Sequence, residues 1–489
     1  MKTQSRIDVL DDGEKARIKQ TMLQMLHQVG IWIECPEVVA MMKRHGYRME
    51  GHRLKPTPDE TTAFLDNYAR NSTRKPPGRH AERSPIKTVT LGLADVAILD
   101  WETRRKRRGR LDDARTSALF ANGLDYVNSL YITVLPADVP SDLAAIAFIV
   151  EASKYTRKAP GFGGGQQLTA RNHKYWEAMG CVLAGGREAY MKNPGMGLQG
   201  FDMSSPMKLT KFVTDRTRLL MQYKKLGGGV TTLPLQGLTG MVTLAGCIAQ
   251  SLAETFGGGM FLEMVEKEMT GTAHYAFRMN PSFVPADLRF AREACSALEN
   301  TLGHIAISQM MEHLNLPDQR QNYGPGKSES KLWDAQCGYE KMLNTVFPLL
   351  AGLNWGPVYP GELATNEYFS FEQAIIDYEL LEMGNRIIEG VRVDDNALDL
   401  DAFKEGVEAG IFSGLMHTAQ SFRGELYLPK LASRESYAQW DKAGRKTIEE
   451  RAHERVVQVF QKAEPRPKYS PDLQKELEKL LASFMEDAR

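Results

Sequence analysis

Apolar residues recur with helical spacing in "EKARIKQTMLQMLHQVG", and the pattern stops at Gly30. "CPEVVAMMKRHG" predicts a second, shorter helix, with Pro36 at its start and Gly46 at its end. "YRMEGHRLK" alternates about Glu50-Gly51 as a hairpin does. "TPDETTAFLDNYARN" opens with a capping threonine and an acidic first turn, so it predicts a third helix. These elements form a small N-terminal unit, assigned to residues 1–94.

From Tyr126 onward the pattern changes. Short β-type or glycine-rich runs recur: "YVNSLYITVL", "KAPGFGGG", "NPGMGLQG", "GGGVTTLPL", "TAHYAFRM", "RQNYGPG" and "LAGLNWGPVY". Between them lie the helical patterns "DLAAIAFIVEASKYT", "PMKLTKFVTDRTRLLMQYKKLG", "GMVTLAGCIAQSLAETF" and "DLRFAREACSALENTLGHIAISQMMEHLN". Repeated strand and helix predict a parallel α/β architecture. A closed TIM (β/α)8 barrel needs about 250 residues, and residues 95–395 provide the room. "LDLDAFKEGVEAG" and "SRESYAQWDKAGRKTIEERAHERVVQVFQKA" predict a helical C-terminal extension over 396–489.

Composition narrows the function classes. The 489 residues are 42% hydrophobic and 25% charged, with 61 basic and 61 acidic side chains. Neutral balance gives no electrostatic reason to expect a nucleic-acid partner. The basic run "RRKRRGR", Arg104 to Arg110, reads as a charged hairpin turn between a strand and a helix. The first residues lack the apolar core of a signal peptide, and no apolar run reaches the roughly 18 residues of a membrane span. Five widely spaced cysteines with no C-x-x-C suit the reducing cytoplasm.

Common cofactor motifs fail on single residues. "GFGGG" has Gln166 where a dinucleotide fingerprint needs glycine, and "GKS" at 326–328 has Gln321 where a P-loop begins. The ten histidines form no H-E-x-x-H and no pair with zinc-ligand spacing, D-x-H-x-x-G is missing, and no G-x-S-x-G elbow occurs. No metal is therefore expected, and no tightly bound cofactor. Three triple glycines, Gly163–165, Gly227–229 and Gly257–259, allow either close backbone approach to a ligand or crowded packing.

Four segments carry a resemblance. They are "MLHQVGIWIECPEVVAMMKRHGYRMEGHRLKPTPDE", "LDWETRRKRRGRLDDARTSALFANGLDYVNSL", "SKLWDAQCGYEKMLNTVFPLLAGLN" and "MHTAQSFRGELYLPKLASRESYAQWDKAGRKTIEERA". Together they resemble the trimethylamine methyltransferase family of corrinoid-dependent methyltransferases almost end to end. The resemblance implies a TIM barrel that passes a methyl group from a methylated amine to the Co(I) corrinoid of a separate cobalamin-binding protein. The trimethylamine branch uses a pyrrolysine, and none is written here. That favours the branch acting on quaternary amines such as glycine betaine, with a tertiary amine or sulfonium donor, or a non-catalytic quaternary-amine binder, as alternatives. Within that implied barrel the site belongs at the C-terminal ends of the strands, and a trimethylammonium head calls for aromatic faces. Phe162, His274, Tyr275, Tyr323, Trp355 and Tyr359 are the strand-end candidates, and Glu329, Trp333, Asp334 and Gln336 lie in the family-like segment. A substrate carboxylate would meet a triple-glycine loop or Arg278. Each aromatic also reads as rim packing, His274 as a hydrogen-bonded core histidine, and Asp334 with Gln336 as an internal network. His417 and Thr418 are assigned to structure, linking the extension to the barrel, and a homo-oligomer is expected through the helical extension.

Overall fold

The computed structural model describes residues 7–72, 89–317, 326–351, 353 and 359–487. Its opening unit follows from local chemistry. Asp11 and Glu14 form a capping box at the start of helix Asp12–Gln24, which runs through a π-turn at Met25–Val29 to Gly30. A side chain at Gly30 would stand 2.5 Å from the Leu54 carbonyl oxygen, and its φ is +74°. Only glycine fits both conditions. Pro36–Arg44 and Pro58–Asn71 are the second and third helices, and Met49–Glu50 pairs with Arg53–Leu54 as the expected hairpin.

The unit is joined to the rest of the molecule through a sheet. Strand Ile31–Ile33 pairs antiparallel with Arg53–Leu54 on one edge and parallel with Lys208–Leu209 on the other. Thr90–Leu91, on the near side of residue 94, pairs in parallel with Ser129–Leu130, and Asp95 is bridged in parallel to Val134.

Parallel pairing recurs along the body. Gly229–Thr231 lies between Gly200–Asp202 and Arg278–Asn280, parallel to both. Leu235–Gln236 pairs in parallel with Val284–Pro285, and Ala97–Leu99 with Tyr368–Phe369. Helices Asp112–Asn122, Ala144–Ser153, His173–Ala184, Lys211–Met221, Leu244–Thr270, Leu298–His313, Ala335–Leu350 and Phe371–Glu389 alternate with these segments.

Three expectations change. The stretch "DLRFAREAC" is not helical, because Val284–Asp287 is drawn into a sheet with Leu235–Gln236 and folds back on Arg292–Glu293; sheet pairing overrides local propensity. Only Leu298–His313 of that pattern is helix. Gly257–259 lies inside helix Leu244–Thr270 rather than in a loop. Added Cβ atoms would meet Ile31 at 2.3 Å, Val230 at 2.6 Å and Met279 at 2.7 Å, so the glycines let the helix lie directly on three strands. The basic run contributes a strand, Lys106–Arg108, paired antiparallel with Ala97–Leu99 as the second arm of the hairpin; the turn precedes it.

The C-terminal helices return to the body. Ile448–Lys462 packs on Phe371–Glu389 through Phe120, Phe371 and Phe460, whose rings meet at 4.9 to 5.7 Å. Glu379 accepts the backbone N–H groups of Lys430, Leu431 and Ala432 at 2.7 to 2.9 Å. Between these anchors, helices Leu400–Ala409 and Met416–Glu425 form an arm that exposes Val391, Leu398, Leu400, Phe403 and Val407.

Candidate functional site

Two chain segments, 326–330 and 359–365, come together under one ion pair. Lys341, on helix Ala335–Leu350, is fully buried; its Nζ donates to the Gly326 carbonyl and, at 2.7 Å, to Asp377 on helix Phe371–Glu389. The same Asp377 oxygen accepts the Gly361 N–H at 2.8 Å, and its other oxygen accepts from Gln373 at 2.7 Å. Ala364 and Thr365 donate their N–H groups to the carbonyls of Ser330 and Ser328, so the segments lie side by side. Glu340 accepts from the Ser328 hydroxyl and the Glu329 N–H, while the Glu329 carboxylate receives the Ser296 N–H and the Thr365 hydroxyl. Burial raises the Glu329 pKa above the usual carboxylate value, against those hydrogen bonds.

This frame fixes three charged side chains that the sequence reading did not single out. Lys327 is 6% exposed, and Asp95 and Glu362 are each 1% exposed. Asp95 arrives from the chain that follows Thr90–Leu91. No described donor reaches any of the four carboxyl oxygens of Asp95 and Glu362. The two groups lie within hydrogen-bond reach of each other, a contact that two ionised carboxylates cannot make and one shared proton can. Burial pushes Asp95 well above the usual carboxylate range, and the charge of Glu362 adds to it. Burial likewise pushes Glu362 up to about 7, while Asp95, Lys341 and Lys327 pull the other way. Near neutral pH the pair retains a proton.

The predicted residues divide. Glu329 belongs to this cluster, and Tyr359 lies half-buried just before Glu362, near Tyr131, whose pKa is raised by burial and further by the neighbouring Tyr359 phenol. Trp333 is a structural pillar: its Nε1 donates to Ser370 Oγ at 2.8 Å and its ring packs on Trp101. Asp334 caps helix Ala335–Leu350 by accepting the Cys337 N–H at 2.9 Å, and it also holds the Ser330 hydroxyl. Gln336 bonds Glu340 along the same helix. Phe162 is buried against Trp176.

His274 and Tyr275 sit elsewhere. They precede strand Arg278–Asn280 and so lie at its N-terminal end. The backbone N–H groups of His274, Tyr275 and Ala276 all donate to the Glu266 carboxylate, at 2.7 to 3.0 Å. The His274 ring meets Thr270 Oγ1 and the Tyr275 hydroxyl donates to Glu263, which makes both residues part of that structural end. Tyr323 and Trp355 lie outside the described residues. His417 and Thr418 bond the carbonyls of Asn396 and Phe412, so these bonds hold the extension to itself rather than linking it to the body.

Two further features flank the strand ends. A cavity of about 270 Å³ is lined by Tyr131, Pro160, Gly163–165, Trp176, Gly195 and Gln199. Among the described residues the Trp176 Nε1 has no hydrogen-bond partner. Loops that follow Leu235–Gln236 and Val284–Asp287 expose Leu238, Met241, Val242, Leu288 and Phe290, with Leu288 against Gly237. Among the described residues no group of three or more His, Cys, Asp or Glu has the geometry of a metal site.

The geometry can be set beside known proteins. A family model described as trimethylamine methyltransferase (MTTB) matches residues 1–487. The chain is 24% identical over 490 residues to the glycine betaine methyltransferase of Desulfitobacterium hafniense (strain Y51), covering 98% of this chain and 97% of that protein. It is 23% identical over 470 residues to the trimethylamine methyltransferase MttB of Desulfitobacterium hafniense (strain DSM 10664 / DCB-2), covering 93% and 90%. Similarity to the trimethylamine methyltransferase MttB of Methanosarcina thermophila is 25% over 300 residues, 60% of this chain and 58% of that one.

Proposed function

Because the chain belongs to the trimethylamine methyltransferase family, we propose that it transfers a methyl group from a quaternary amine to the Co(I) corrinoid of a separate corrinoid protein, with glycine betaine or a related betaine as donor. The observation that carries this reading is the end-to-end similarity to a protein named glycine betaine methyltransferase. The chemistry agrees with a site that holds its substrate rather than shuttling protons to the nitrogen. A quaternary nitrogen has no lone pair to protonate and departs as a neutral amine, so in-line attack needs positioning above all.

The rest of the reading follows. A (β/α)8 barrel is supported by the parallel strand pairs and the helices between them. Asp95, Lys327, Glu329 and Glu362 then stand at strand ends, with Tyr131 and Tyr359 as aromatic walls. The exposed apolar residues of the 237–243 and 288–290 loops suit docking of the corrinoid protein at that end. No helix among the described residues is long and apolar enough to cross a membrane, and five free thiols agree with a reducing cytoplasm. The apolar arm at 391–428 suits a homo-oligomer, with a second copy covering it.

The test is incubation with a reduced corrinoid protein and a panel of betaines, following methylation of the corrinoid by its visible spectrum. Methylation by a betaine supports the reading. Turnover with only tertiary amines or sulfonium compounds would replace the donor class. Tight binding without methyl loss would leave a quaternary-amine binding protein.

A further inference from the structure

We propose that Asp95 and Glu362 form a one-proton acid pair, that the methyl donor binds beside it, and that a donor carrying a fixed positive charge expels that proton when it binds. The inference rests on the quaternary-amine reading above and deepens it.

A charge count around the pair motivates the proposal. Lys341 and Asp377 neutralise each other through their 2.7 Å contact. Lys327 offsets one carboxylate of the pair. The second carboxylate then has no cation among the groups that face it from the helices Ala335–Leu350 and Phe371–Glu389 or from the segments at 326–330 and 359–365. Glu329 and Glu340, the other acids of this end, are committed to the Ser296 and Glu329 N–H groups and to the Thr365 and Ser328 hydroxyls. A proton fills the deficit in the empty site. A quaternary ammonium would fill it in the occupied one.

The orphaned oxygens are the second observation. All four are covered, and beyond the contact between the two carboxyl groups themselves none receives a hydrogen bond from the described residues. An internal polar network normally satisfies its members, and this one does not. Because the oxygens are covered, the pair acts on a bound cation through the electric field, which a dry surrounding transmits well. Asp95 and Glu362 are thus positioning residues for the cation.

The proposal also accounts for release. Methyl transfer breaks the N–C bond and leaves both its electrons on nitrogen; the methyl carbon is bonded by the electron pair of the reduced corrinoid. Nitrogen becomes neutral, the cation that replaced the proton is gone, and the pair regains a proton from solvent. The product amine is then held less strongly than the donor was.

Calorimetric titration tests this in the intact protein. Glycine betaine is titrated near neutral pH into the wild type in buffers of different ionisation enthalpy, and the dependence of the heat on buffer gives the protons released. Release approaching one proton per betaine is expected. The isosteric 3,3-dimethylbutyrate, with carbon in place of nitrogen, should bind more weakly and release none. Glu362→Gln and Asp95→Asn should each abolish release with betaine. Betaine binding without proton release, or equal release with the carbon isostere, would overturn the inference while leaving the quaternary-amine reading intact. Should no quaternary amine bind, both fall together. The wild-type comparison of the two ligands decides the matter even where a variant fails to fold.

Discussion

Lys341 and Asp377 meet at 2.7 Å with essentially no exposed surface, and between them they hold Gly326 and Gly361. A buried pair of this kind is costly to break from one side, because the remaining charge is stranded. Lys341→Met should therefore lower unfolding stability by about 3–5 kcal/mol, and pairing it with Asp377→Leu should recover part of the loss. Chemical denaturation of the single and double variants measures both.

Glu362 and His304 should tilt the pH dependence of stability in opposite directions. Glu362 is raised from 4.5 to about 7 by burial, so its folded form holds the proton longer than the unfolded chain does. Its contribution is full below about 4.5 and declines as pH rises through about 7. His304 is fully buried, bonded to the Asn300 carbonyl and Ser282, and lowered from 6.5 to about 4 by burial. Its contribution is present above 6.5 and declines as pH falls toward 4. Glu362→Gln should leave a stability profile that rises with pH over the acid range without the later decline. Denaturant midpoints measured across that range check the sign of each slope.

Gly258 should resist any side chain. Its Cβ would meet Val230 at 2.6 Å, inside the contact between a helix and a strand. Gly258→Ala is expected to cost about 1–3 kcal/mol by overpacking, despite alanine's better helix propensity. Gly424, with open space around its Cβ on helix Met416–Glu425, is the control, and alanine there should be neutral or slightly stabilising. Thermal unfolding of both variants separates crowding from propensity.

His274→Ala should leave methyl transfer within about twofold of wild type, since among the described residues its ring hydrogen-bonds Thr270, at the N-terminal end of a strand. Steady-state kinetics with betaine and a corrinoid protein provide the check.

With a second copy covering the arm as proposed, Phe403→Glu on its exposed face should shift the population toward smaller species by placing charge in an apolar contact. Sedimentation velocity of the wild type and variant reads this directly.

Much of the fold was legible from local signals. Asp11 with Glu14 and Thr57 with Glu60 are capping boxes written within four residues, and the first and third N-terminal helices begin where these caps put them, the second at Pro36. The stretch "DLRFAREAC" has helical spacing but is not helix, because the strand that leads into it, Val284–Asp287, pairs with one about fifty residues earlier, which no local pattern contains. The triple glycine at 257–259 was read as a choice between ligand approach and crowding; contacts with Ile31, Val230 and Met279 decide for crowding. The site was less legible. Asp95 stands more than two hundred positions before Lys341 and Glu362, and only folding brings it to them. A signal did exist: an aspartate inside the apolar run "GLADVAIL" and a lysine opening "KMLNTVFPLL" are charges in stretches that must be buried. Trp333, Asp334 and Gln336 drew notice by their polarity, which instead begins and braces a helix.

The three amides gathered by Glu379 have a consequence for how the chain could be edited. The arm leaves the body after Glu389 and is recaptured at Lys430 by a residue on the helix it left. Arg386 also grips the far end through the Glu425 carbonyl. The arm is therefore a detour that begins and ends at one address. Shortening or replacing it would not require rethreading what lies on either side, and loop-closure entropy changes only slowly with length. Whatever the arm attaches to, it forms a cassette that can be exchanged while the strand ends bearing Asp95 and Glu362 stay in place.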